Sequence, residues 1–277
     1  MSRIAEALGV SRSLVSKSLS GGPSTRPARY SKAEDVELLP RIRAIVDERP
    51  TNGYRRVTAR LNRRFRDEGL HTVNHKRVYR IMRQNDLLLQ RYTGKNPRAH
   101  EGRVITLKSN LRWCSDAFQI RCWSGERVEV AFSLDCCDRE VMAYVATSGA
   151  ITGEMIRDLM ALSIESRFGA GTTRVPQAIE WLSDNGPPYT AYETRSFASE
   201  SGLLACTTPA YSPESNGMAE GFVKLFKRDY VYINDLPDAA RVIAKLAGWF
   251  DDYNETHPHQ GLKMQSPREY RRNQLGH

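Results

Sequence analysis

Hydrophobic positions recur at two different periods along the chain, and the period changes near residue 111. Before that point apolar residues stand three or four apart, the spacing of a buried helix face. Leu38, Ile42 and Ile45 mark one such face, Pro50 to Gly53 form a break, and Val57, Leu61 and Phe65 mark a second. Asn74 is placed to cap a third helix running to about Gln84, with Val78, Ile81 and Met82 inward. The polar positions of this unit are strongly basic. Arg55, Arg56, Arg60, Arg63, Arg64 and Arg66 are expected on the outward face of the second helix, and Lys76, Arg77, Arg80 and Arg83 on that of the third. Further upstream, residues 3–19 have the pattern of a helix-turn-helix core. Ile4, Leu8, Val10 and Val15 pack inside, Ala5 permits close approach, Gly9 makes the turn and Ser11 caps the second helix. Arg12, Ser13, Ser16 and Lys17 would then face a groove. The chain begins inside the first of these helices, so the unit reads as cut short.

From Arg112 the apolar pattern becomes that of strands. Trp113–Ile120, Arg127–Leu134 and Val141–Thr147 are β-rich runs, divided by turns at Ser124-Gly125 and around Asp138-Arg139. Thr152 can cap a helix through Phe168, which Gly169 ends. Then follow a strand (Ala178–Leu182), a helix (about Tyr192–Ser201), a short strand (Leu203–Thr207), a helix from about Ser215 to Tyr232 and an amphipathic helix over about Ala239–Tyr253. Three strands in a meander, then alternating helix and strand, predict an α/β layer with a mixed sheet behind an all-α front.

Charge sharpens this division. The net charge of +9 over 277 residues resolves into +14 for residues 1–110 and −5 for the remainder. A basic front joined to a mildly acidic rear suits a region that grips nucleic acid and feeds a domain whose acids bind cations. No apolar run approaches the length of a membrane span, and the first twenty residues lack the apolar core of a signal peptide. The five cysteines (Cys114, Cys122, Cys136, Cys137, Cys206) include no C-x-x-C pair and read as reduced thiols of a cytosolic protein. His71 and His75 have metal-ligand spacing, but no cysteine precedes Cys114 to complete a local zinc site.

The candidate chemistry lies in the rear half. Asp116 interrupts a strand, where an acid has no structural use unless it is paired or binds metal. Asp184 ends the fourth strand before Asn185-Gly186, and 35 residues on comes Glu220, inside a helix. Lys227, two helical turns later, should share its face. Carboxylates so placed could hold two Mg²⁺ ions against a phosphodiester. Taken singly, Asp116 could be an edge-strand surface acid, Asp184 a turn residue, Glu220 an exposed helix acid and Lys227 a solvated lysine. Asp135, Asp138 and Glu214 compete for the acid roles. Asp135 ends a strand near the site and could tune it, Asp138 reads as a turn residue, and Glu214 as a charge at a helix N-terminus. His257 and His259 lack a metal partner and read as structural or DNA-contacting.

Asp116, Asp184 and Glu220, with Lys227 beyond, resemble the DDE triad of retroviral-integrase-like transposases. The wider match is to the orfB-type product of a bacterial insertion-sequence family. Gly53-Tyr54-Arg55-Arg56-Val57, Lys76 to Met82, Arg112 to Asp116, Leu134 to Arg139, Asp184-Asn185-Gly186, Ser212 to Glu220, and Tyr253 through His257-Pro258-His259 to Tyr270 carry it. The resemblance covers about residues 31–272 and departs from the family at Pro187-Pro188, where small or polar residues are usual. It implies a ribonuclease-H-like mixed five-stranded sheet flanked by helices. It also implies a division into a truncated helix-turn-helix (1–20), a linker (21–31), a helical DNA-binding domain (32–90), a basic connector (91–110) and a catalytic core with C-terminal helices (111–272). The implied activity is metal-dependent DNA strand cleavage and strand transfer, with Asp116, Asp184 and Glu220 holding two Mg²⁺ ions for which Mn²⁺ can substitute. Asn185 and Asn216 would support that site, as would Asp135. Lys227, Arg55, Arg56, Lys76, Arg77, Arg80, Arg12 and Lys17 would contact DNA. Implied partners are double-stranded DNA (terminal repeats and target), further copies of the chain, and an upstream-frame protein or fusion. The implied setting is the bacterial nucleoid, without a membrane. A regulator that binds element ends with an idle triad, and a ribonuclease-H-type nuclease, are the alternatives.

Overall fold

The computed structural model describes residues 34–90, 106, 108–207 and 217–275. The helix-turn-helix expected over residues 3–19, with Arg12 and Lys17, lies outside them, as do the linker, most of the basic connector, Glu214 and Asn216.

The first described unit is three helices, α1 (Asp35–Glu48), α2 (Tyr54–Asp67) and α3 (His75–Gln84). The stripes read from the sequence are its core: Ile42, Ile45, Val57, Leu61, Val78, Ile81 and Met82 are fully buried. Asn74 caps α3 by accepting the Lys76 N–H at 2.8 Å.

The second unit is a five-stranded sheet of order β3-β2-β1-β4-β5. Its strands are β1 (Arg112–Arg121), β2 (Arg127–Asp135), β3 (Val141–Thr147), β4 (Ile179–Ser183) and β5 (Leu203–Thr207). β1, β2 and β3 form the antiparallel meander, and β4 and β5 add in parallel, giving the mixed sheet that the strand pattern predicted and the ribonuclease-H-like form that the resemblance implied. Alternation along β1 divides the molecule into layers. Cys114, Phe118 and Ile120 point to one face. Trp113 points to the other, with Trp181 and Ile179 of β4.

Over that second face lie α4 (Gly153–Phe168), the short α5 (Pro187–Thr190) and α6 (Tyr192–Glu200). Thr152 caps α4 through the Met155 N–H, and Gly169 ends it at φ 108°, a conformation costly for any residue with a Cβ. The first face is covered by α7 (Gly217–Phe226) and α8 (Ala239–Thr256). An aromatic stack of Phe132, Phe222, Phe226, Phe250 and Tyr253 fills that layer. A final helix, α9 (Pro267–Leu275), follows; it carries no apolar stripe that could have announced it.

Two expectations are corrected. The helix expected to run unbroken to Tyr232 changes at Lys227 into a π-helical turn, Lys227–Val231. The wider turn buries Asp229 and Tyr230 together. Asp229 there accepts from Arg228 and from Arg56 of α2, and Tyr230 donates to Asp252 at 2.8 Å. The second correction concerns the basic face of α2. Arg56, Arg60 and Arg63, spaced i, i+4, i+7, turn onto the sheet domain rather than outward. Arg60 is buried and donates to Thr256 Oγ1, and Arg63 donates to the carbonyls of Glu255 and Thr256 at the C-terminus of α8. Cations there complement the unsatisfied carbonyls of the helix end. Arg49 pairs with Asp252 at 2.9 Å and lies over the Tyr230 ring.

Candidate active site

Strand register sets the two aspartates at matching positions just past the paired stretch. β1 and β4 run parallel, with Arg112 opposite Glu180, Trp113 opposite Trp181 and Cys114 opposite Leu182. The paired stretch stops there, and two residues further along each strand stand Asp116 and Asp184. Both share the parity of Cys114 and Leu182, whose side chains enter the layer under α7 and α8. Glu220 is carried by α7, which packs on β1 in that same layer: its next turn sets Phe226 against Phe118, 5.6 Å between ring centroids.

The electrostatics agree. Burial pushes the Asp116 carboxyl up to about 6, and the charges of Asp184 and Glu220 push the same way, against the one Ala117 N–H that it accepts. An acid whose two nearest charged neighbours are also acids, on a half-exposed surface, can be relieved by a cation from outside.

Asp184 sits in a shaped turn. Its Oδ1 accepts the Gly186 N–H at 3.0 Å, and a Cβ on residue 186 would stand 2.9 Å from that oxygen. Glycine at 186 therefore leaves room for this carboxylate in its present position. Pro187 and Pro188 open α5, where their fixed φ and missing N–H are tolerated, so the departure from the family pattern stiffens the turn. Asn185 is exposed in it.

Glu220 is not idle: Lys224, one turn on, donates to it at 3.2 Å. This i, i+4 spacing is a local signal that the sequence carries. Lys227 itself places its Nζ 5.7 Å above the Phe118 ring, two residues along the strand from Asp116. Donor type and facing suit a hard divalent ion. Among the described residues, however, no three His, Cys, Asp or Glu side chains are gathered closely enough to hold one ion together. Asp184 and Glu220 both act on Asp116 through their charge, while Glu220 is turned to Lys224.

Other expected site residues are placed elsewhere. Asp135 was expected near the site but belongs to the opposite layer, at the β1 position of Trp113. It is fully buried, accepts from the backbone of Asn110, Cys137 and Asp138, and lies 3.5 Å from Arg167. Asp138 accepts from Arg167 as well and is a buried ion-pair partner rather than a plain turn residue. On the helical unit, Arg77 and Arg80 are held by Asp35, Arg56 by Asp229, while Arg55 and Lys76 are exposed. His257 and His259 are buried against Tyr253, and burial lowers the pKa of both, His259 to about 3.

With that geometry in view, comparison with known proteins is informative. The sequence profile of an HTH-like domain matches residues 33–95, and profiles of an integrase core domain match residues 107–213 and 204–267. Transposase InsD for insertion element IS2A/D/F/H/I/K of Escherichia coli is 46% identical over 275 residues, covering 98% of this chain and 91% of that protein. The same enzyme of insertion element IS2-9, from strain K12, is 46% identical over 98% of this chain and 89% of its own length. Among solved structures, the catalytic core domain of BIV integrase aligns at 18% identity and TM-score 0.43, covering 60% of this chain and 97% of that one.

Proposed function

The chain belongs to the insertion-sequence transposases that carry an integrase core, DNA-acting polynucleotidyl transferases, and from that premise we propose that Asp116, Asp184 and Glu220 are the acids with which it cuts and joins DNA. The observation that supports the proposal is the matching position of Asp116 and Asp184 just past the paired stretch of β1 and β4, with the charges of Asp184 and Glu220 both bearing on Asp116.

Asp116 and Asp184 are the pair that would hold divalent ions, two Mg²⁺ with Mn²⁺ able to substitute, and Glu220 would join them on leaving Lys224. Ions bound there would neutralise phosphate charge and lower the pKa of the attacking water. The chain's own part is placement. The Asp184 turn fixes one carboxylate, the β1 backbone the other, and Lys227 offers its ammonium to the DNA backbone beside them. Water first, then the freed 3′-hydroxyl, attacks phosphorus in line, nicking one strand and joining it to another without a covalent link to protein. Arg55 and Lys76 face solvent and would grip terminal repeats or target DNA, in an assembly of more than one copy. Asp184→Ala tests the reading. Cleavage and joining of the element's ends should vanish while DNA binding persists, and joining retained by that variant sinks it.

A further inference from the structure

The β1–β4 pairing ends at Cys114 and Leu182, before either aspartate, so the sheet ladder does not itself fix their separation. A side-chain hydrogen bond spans the gap. Tyr189 OH and Ser115 Oγ lie 2.9 Å apart, and both residues are buried. Ser115 directly precedes Asp116 on β1. Tyr189 follows Asp184 by five residues and closes the turn that Asp184 opens: its N–H bonds to the Gly186 carbonyl at 3.0 Å. The ring is anchored in the opposite layer, among the residues packed with Trp113 and Trp181. This short helix is also held from α6, since Thr194, fully buried, donates to the Pro188 carbonyl at 2.9 Å. The two prolines remove slack between these anchors. Burial raises the pKa of the phenol, and the charges of Asp116 and Asp184 push the same way, so it is a neutral group at physiological pH.

We propose that the Ser115–Tyr189 hydrogen bond is a positioning device that sets the spacing of Asp116 and Asp184, so that Tyr189 governs divalent-ion affinity from behind the site without touching DNA. The inference rests on the reading of these two aspartates as ion ligands. Partners that hold ligands from behind typically change metal affinity by 10–100-fold when removed.

The test is Mn²⁺ titrated into the full-length protein and followed by electron paramagnetic resonance, with thermal melting in chelator alongside. Tyr189→Phe keeps the buried ring and removes only the hydroxyl; Ser115→Ala removes the other end. Each should weaken Mn²⁺ binding about tenfold, with melting in chelator much less affected. The double variant should be no weaker than either single one, because one bond is lost in all three. Strand cleavage by Tyr189→Phe should recover at high Mn²⁺, which a DNA-contacting role would not allow. Unchanged Mn²⁺ binding in both single variants overturns the proposal, as do additive losses in the double. Asp116→Asn separates the two ideas: if it too leaves Mn²⁺ binding intact, the ligand assignment fails first, and the positioning role with it.

Discussion

Two clusters of three acids lie against the same sheet, and they are built on opposite terms. Asp135, Asp138 and Glu140, at the β2–β3 corner, are buried and surround the Arg167 guanidinium, itself without exposed surface. Arg268 and Arg271 of α9 add two more cations at 3.0 Å from Glu140. Asp116, Asp184 and Glu220, three residues further along β1 and through the sheet, have among the described residues one ion-paired cation, Lys224 on Glu220, and it is 78% exposed. The carboxyls of Asp135 and Asp116 are both pushed up to about 6, mainly by burial, so that number does not separate the clusters. Their neighbours do. A second acid and an arginine act on Asp135, two further acids on Asp116. A structural cluster brings its own counter-charge; one left short of it, at a surface, is poised to take a cation from solution.

The contrast can be broken first at Arg167. Arg167→Met should cost about 3–5 kcal/mol in urea denaturation, because it strands buried carboxylates without their cation. Equal stability would mean that the corner cluster is not held by charge. Adding Mg²⁺ at ten times its dissociation constant should stabilise the wild type by about 1.4 kcal/mol, and the Asp116→Asn, Asp184→Asn double variant not at all. A shift in the double variant would put the ion elsewhere. Asp116→Asn in chelator should leave the urea midpoint at or above the wild-type value, a change on the order of 1 kcal/mol or less, since it removes a charge that its neighbours oppose. The smallest effect is expected for Lys224→Gln. An exposed i, i+4 pair contributes only about 0.3–0.5 kcal/mol, so a much larger loss would make Lys224 a true counter-ion and erase the difference between the clusters.

The three candidate acids stood out because strand ends and turns have local signatures, an acid in an apolar run and Asp-Asn-Gly after a strand, and the 35-residue interval added the family resemblance. The Arg167 cluster did not. Its members read as a turn acid, a strand-end acid and a helix residue, and nothing local states that α4 crosses behind that corner. The arginines of α2 misled for a related reason. Helical spacing says that Arg56, Arg60 and Arg63 share a face, but whether that face meets water, DNA or another domain depends on what packs there. Here it meets Asp229 and the end of α8.

By itself the sequence determined most of the elements, their core faces and their caps, since each depends on residues within a turn or a strand of one another. Tertiary structure alone decided which acids face one another, which arginines are consumed within the protein, and that Tyr189 reaches Ser115 across 74 positions. Those outcomes follow from strand register and layer packing, where energy depends on contacts between segments far apart in the chain and no local periodicity records the choice.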